Sequence, residues 1–190
     1  KKLVQIFNAG DKLNALRAAT IGKEFGVNYL IKGSGNEFER IEEIKKTGAT
    51  YIIPLEFPEA YDVSNSFLAY QVSLTDMKFW NQAPFNLKIL AENNINFILT
   101  ASDLKNQKEF LTQLRKAVAY GLPKEKALAA LTTIPAQLLN QSANLGSLKK
   151  GSLANFIITS GDLFESKTIL HENWVQGNRT FLSKFDGLDS

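Results

Sequence analysis

Short β-prone apolar runs alternate with amphipathic stretches through the first half of the chain, a rhythm that predicts βα units built around a parallel sheet. Leu3-Val4-Gln5-Ile6-Phe7 is the first such run. Asp11 then stands where a helix cap is expected, and Leu13, Leu16, Ile21 and Phe25 recur at helical spacing toward a core, with Gly26 at the stop. Val27-Asn28-Tyr29-Leu30-Ile31 is a second strand, followed by the tight turn Gly33-Ser34-Gly35. A helix over about 36–46 places Phe38, Ile41 and Ile44 on its apolar face, and the alternating charges from Glu37 to Lys46 read as solvated. Gly48 ends it, and Tyr51-Ile52-Ile53 forms a third strand closed by Pro54.

Regularity fades from Leu55 to about Ala83, where Phe57, Tyr61, Phe67, Tyr70, Phe79 and Trp80 suggest a long βα excursion with helix of its own. The plain expectation is that these aromatics pack onto the body of the domain. A helix from Pro84 to Asn93 leads into a fourth strand, Asn96-Phe97-Ile98-Leu99-Thr100, then Ala101-Ser102-Asp103 and a helix over about 107–120. Pro123 opens another helix through Leu131, and a helical turn starts at Pro135. The last fifty residues change to a β pattern, with strands near 156–158, 169–175 and 179–182 and a hairpin turn at Gln176-Gly177-Asn178. The expected division is therefore a βα part over 1–140 and a β appendage over 141–190.

Composition narrows the chemistry. With 44% apolar residues, 22 Lys+Arg and 19 Asp+Glu in 190 residues, the chain is of ordinary globular type. A net charge of +3 without a Lys/Arg run longer than two gives no reason to expect nucleic acid, and no window of 18 apolar residues points to a membrane span. The absence of Cys excludes thiolate metal sites and thiol nucleophiles. The single histidine, His171, limits any zinc site to one imidazole, and a Ser-His-Asp triad would need it as base. The chain opens at Lys1 without Met and reads as a piece of a longer product, so the compartment is left unknown.

Two stretches carry a resemblance. Lys126-Ala127-Leu128-Ala129-Ala130-Leu131-Thr132-Thr133-Ile134-Pro135-Ala136-Gln137-Leu138-Leu139, followed by the Leu145-Gly146-Ser147-Leu148-Lys149-Lys150-Gly151-Ser152-Leu153-Ala154-Asn155-Phe156 segment, resembles the closing part of the amidohydrolase superfamily, near its imidazolonepropionase-like members. Asn155 stands where that family most often has Asp. The resemblance implies an α/β fold: four βα units forming the C-terminal half of a TIM-like (β/α)8 barrel, strands five to eight, followed by antiparallel strands of a composite β-sandwich. It implies metal-dependent hydrolysis of C–N bonds other than peptide bonds, with zinc or another divalent ion held by His ligands after strands one, five and six and by an Asp after strand eight.

Carried onto this sequence, the eighth-strand position is Asp103, the candidate metal ligand and catalytic acid/base. The fifth-strand His position reads Asn8, and the sixth-strand position falls on Lys32 or Gly33. Asn ligates hard cations weakly and a Lys ammonium repels them, so the resemblance implies a degenerate, non-catalytic copy that holds no metal cofactor as it stands. An active hydrolase, completed by histidines and a small-molecule substrate site from the missing N-terminal half, is the alternative. Asp103 also suits a helix cap. Lys32 at a strand end reads as solvated, and His171 as a surface or half-buried strand residue. The Gly33-Ser34-Gly35 turn, with Glu56 downstream, is read as a tight turn, with a nucleotide or phosphate site as the other option; Phe38 sits where that motif needs its third glycine. Half a barrel leaves strand edges open, which calls for a partner: the missing N-terminal half, a second chain or a duplicate copy.

Overall fold

The computed structural model describes residues 3–183. Its contacts divide the chain into two compact units, 1–127 and 128–190. The first holds a four-stranded parallel sheet, β1 (Gln5–Asn8), β2 (Tyr29–Lys32), β3 (Thr50–Pro54) and β4 (Phe97–Thr100), in the order β1-β2-β3-β4. The crossovers run through α1 (Lys12–Phe25), α2 (Ile41–Thr47), and an excursion with α3 (Ser66–Gln71), α4 (Leu74–Gln82) and α5 (Asn86–Glu92). After β4 come α6 (Phe110–Ala119) and α7 (Lys124–Leu131). Among the described residues no helix is long and apolar enough to cross a membrane.

Local signals act as expected at several boundaries. Asp11 caps α1 by accepting from the Leu13 and Asn14 amides at 2.7 and 2.9 Å, and Gly26 ends it in the left-handed region at φ 65°. The buried face of α1, however, is not the one that the large residues suggested. Ala15, Ala18 and Gly22 face inward, while Leu13, Ile21 and Phe25 are exposed. Small residues let the helix lie close to the chain below: a Cβ on Gly22 would stand 2.5 Å from the Val27 carbonyl oxygen.

The register places Tyr29, Ile31, Tyr51, Ile53, Phe97 and Leu99 on one face of the sheet, where Ile31, Tyr51, Ile53 and Phe97 are buried. The opposite face carries Ile6, Asn8, Leu30, Lys32, Thr50, Ile52, Pro54, Ile98 and Thr100, of which Pro54 alone is buried; Ile6, on edge strand β1, is 61% exposed. The excursion also leaves apolar surface uncovered. Phe79 stacks on Phe38 at 6.1 Å, but Phe67, Tyr70, Leu74 and Met77 lie open to solvent, against the expectation that the aromatics would pack inward.

Glu37 departs furthest from its expected place. It is fully buried, where the charge pattern had put it on a solvated face. Its Oε1 accepts from the Ser34 amide at 3.0 Å and the Gly35 amide at 3.4 Å, and its Oε2 accepts from Asn86 Nδ2 at 2.7 Å. Asn86 Oδ1 in turn accepts from the Phe38 amide at 2.9 Å. A buried carboxylate is tolerated only when such donors replace its water, and here they bind the β2 turn to the start of α5. Gly33 belongs to the same lock, because a Cβ there would sit 1.9 Å from Glu37 Oε1.

The second unit contains the C-terminal part of α7, α8 (Thr133–Leu138) and a three-stranded antiparallel sheet, β5 (Phe156–Thr159), β6 (Leu170–Val175) and β7 (Asn178–Phe181). Val175 pairs with Asn178 around the Gln176-Gly177 turn, whose φ values of 51° and 80° give the doubly left-handed hairpin that suits the strand twist. Asn155 Oδ1 accepts from the Gln176 amide at 2.6 Å, so an acceptor oxygen is what this position supplies to the hairpin, with or without a charge. Phe156 stacks on Trp174 at 5.3 Å.

Two outcomes follow from these contacts. Replacing Glu37 by Ala strands three donors, and equilibrium urea unfolding should show a loss of about 2–4 kcal/mol. Burial, with the nearby Glu37 adding to it and the Thr47 hydroxyl opposing it, raises the Tyr51 phenol above its usual pKa of about 10. The folded chain then favours the protonated phenol, so this contribution is complete below pH 10 and is lost as the pH climbs past it. Tyr51→Phe should flatten that alkaline fall when unfolding is measured at pH 8 and above pH 10.

Candidate functional site

All four parallel strands end on the same side, and their last residues are Asn8, Lys32, Pro54 and Thr100. Asn8 lies beside Lys32 and Pro54 beside Thr100. The ladder continues one step further through Ala9 N–H to Lys32 O at 2.9 Å, Gly33 N–H to Ile52 O at 3.0 Å and Leu55 N–H to Thr100 O at 3.2 Å. This rigid edge carries the residues singled out from the sequence.

Lys32 Nζ and Asp103 Oδ1 meet at 2.5 Å across 71 residues of sequence, with the two side chains 19% and 36% accessible. Lys32 is therefore half-buried and ion-paired, not solvated. Ser102 Oγ donates to the same Asp103 oxygen at 3.1 Å, and the Ser102 amide donates to Thr100 Oγ1 at 3.1 Å, which ties the carboxylate back to β4. Asp103 caps no helix: that role belongs to Asn106, whose side chain accepts from the Lys108 amide at 3.1 Å. At this exposure the ion pair contributes on the order of 1 kcal/mol or less to stability.

Of the two residues open for the sixth-strand position, Gly33 is turned against Glu37 and has no room for any side chain. Lys32 is the residue that presents a group at the strand end. Asn8 is exposed beside it. Among the described residues no three His, Cys, Asp or Glu side chains come together as a metal-holding set. One carboxylate, already paired, an amide and an ammonium do not fit a hydrolytic zinc centre, which takes several imidazole or carboxylate ligands.

The Gly33-Ser34-Gly35 turn is not a phosphate cradle either. The Ser34 and Gly35 amides that an anion would use are directed at the Glu37 carboxylate, which also supplies negative charge at that spot. His171 lies in β6 of the second unit, buried at 5% accessibility and so deeper than the sequence suggested. Its Nδ1 is 3.3 Å from Ser183 Oγ, but that hydroxyl donates to the Leu170 carbonyl at 2.9 Å, which is not the arrangement of a nucleophile.

The pairing of Glu37 with Asn86 escaped the sequence reading. The one available signal was a Glu three residues after a Gly-Ser turn at a helix start, a place where a carboxylate reaches back to free amides. Two further ties hold the excursion near the strand ends. Glu59 and Lys105 pair at 2.8 Å, which holds the carboxyl below and the ammonium above their ordinary values, and Lys116 lies 5.1 Å over the Phe57 ring.

Known proteins share this fold. An amidohydrolase from Thermotoga maritima superposes with a TM-score of 0.72 at 20% identity, covering 95% of this chain and 44% of that one. A prolidase complexed with N-methylphosphonate-L-proline gives 0.64 at 17% identity over 94% and 45%, and ochratoxinase of A. niger 0.60 at 17% over 98% and 44%. At these identities the likeness concerns the fold, and the chain spans less than half the length of each. In sequence, the amidohydrolase tasK of Hapsidospora irregularis is 30% identical over 76 residues, 40% of this chain and 8% of that protein. Residues 44–188, most of the chain, match the model of the amidohydrolase family. The chain is a member of the amidohydrolase family.

Proposed function

We propose that this chain is the C-terminal part of an amidohydrolase whose metal site has degenerated, so that this copy serves as a scaffold. Residues 1–140 would supply strands five to eight of a (β/α)8 barrel and residues 141–190 part of its β-sandwich. The observation that carries the reading is the strand-end pair itself: Lys32 already occupies the Asp103 carboxylate, and it and Asn8 lie side by side at the strand ends to which the resemblance assigns imidazoles. Without ligands to hold an ion, nothing brings a water's pKa toward neutrality, and hydrolysis of C–N bonds has no nucleophile here.

The partial barrel is supported by the incompletely covered sheet face. Parallel sheets are covered on both sides, and Ile6, Leu30, Ile52 and Ile98 line a face that a closed barrel would bury as its interior. The chain's span of 44% of the Thermotoga maritima amidohydrolase agrees with half of such a barrel. The partner this calls for is the other half, on the same polypeptide or another.

One observation favours an active enzyme instead. Asp103 is retained after β4 and faces the strand ends, as a catalytic carboxylate would. Zinc content and amide-hydrolysing turnover of the longest natural polypeptide that contains this chain separate the two. In the scaffold reading, Asp103→Asn changes neither by more than about twofold; a joint loss of zinc and turnover establishes the active reading. For the partial barrel, light scattering of the isolated chain should show self-association, and a monodisperse monomer with a cooperative melt would contradict it.

A further inference from the structure

We infer that the Lys32 ammonium is a built-in substitute for the divalent cation, occupying the cation position beside Asp103 and keeping metal ions out. This rests on the degenerate reading above and adds what replaced the metal. Three features of the geometry support it. Lys32 is the last residue of β2 and lies in register with Asn8, so its side chain starts from a strand end, the one to which the resemblance assigns an imidazole. Its Nζ ends 2.5 Å from Asp103 Oδ1, the distance of a charge-assisted hydrogen bond, so the carboxylate's cation partner is this ammonium. Asp103 is spared from helix capping and is instead oriented by Ser102 Oγ, so its carboxylate is held toward the strand ends for a cation of some kind.

The electrostatic consequence is specific. A carboxylate at the mouth of parallel strands, with Ser102 and Thr100 hydroxyls nearby, has some affinity for a divalent ion if nothing else neutralises it. The ammonium supplies that neutralisation and repels a second cation. Removing its charge while keeping its aliphatic stem should therefore uncover a cation site that the wild type does not offer. Substituting Arg, which keeps the positive charge on a side chain of similar reach, should not.

The test is titration of the chain with zinc chloride by isothermal calorimetry, alongside thermal melts in zinc and in EDTA. Lys32→Met, with Lys32→Gln as a second charge-removing variant in case one does not fold, should bind zinc at least tenfold more tightly than wild type. Lys32→Arg should match wild type, and Lys32→Met combined with Asp103→Asn should fall back to it, which separates this site from incidental zinc binding elsewhere. Equal zinc affinity in wild type and in the folded charge-removing variants, whether measurable or absent, overturns the inference and leaves the degenerate reading standing. Stoichiometric zinc in the wild type that Asp103→Asn removes would overturn both.

Discussion

A parallel sheet needs a cover on each face, and in this chain the helices provide only one. Ile31, Tyr51, Ile53 and Phe97 are buried on the helix side, while Ile6, Leu30, Ile52 and Ile98 share the other with polar residues and remain partly wet. Each large aliphatic side chain left in water forgoes about 1.5–3 kcal/mol of burial, so this is an unfavourable resting state for an isolated sheet. The same parallel arrangement gathers every strand end on one side. It is the reason that Asn8, Lys32 and Asp103, from three separate segments, lie along one edge.

The turn after β2 shows how that edge is kept rigid. Gly33 gives Glu37 room, Glu37 takes the Ser34 and Gly35 amides, and Asn86 closes the circuit from α5. Buried polar groups of this kind are costly when half satisfied and specifying when complete, and here no buried side-chain polar atom among the described residues lacks a partner. The position of Lys32 is set by the strand before this turn and the lock after it, so its ammonium is delivered to a defined point.

Much of the architecture could be read from the sequence because its signals are local. The strand runs at Tyr29–Lys32 and Thr50–Pro54, the glycine stops at Gly26 and Gly48 and the Gln176-Gly177 hairpin depend on neighbours a few residues away. What escaped depends on distance. The inward face of α1 differs from the one its large residues suggest because close approach to the chain below favours Ala15, Ala18 and Gly22 over bulk. Glu37 reads as surface until Asn86, 49 residues on, is brought beside it, and Asp103 reads as a cap until Lys32 reaches it across the sheet. The resemblance singled out Asn8, Lys32 and Asp103 one by one, and no local signal shows that two of them bind each other.

The pairing of Lys32 with Asp103 also bears on supply. A metal centre is filled or vacant according to what its surroundings provide, and it must be loaded after synthesis and protected from competing ions. A cation carried on a side chain is translated with the polypeptide. Its presence at the strand ends is then as constant as the sequence, indifferent to scarcity, chelators or the wrong metal in abundance.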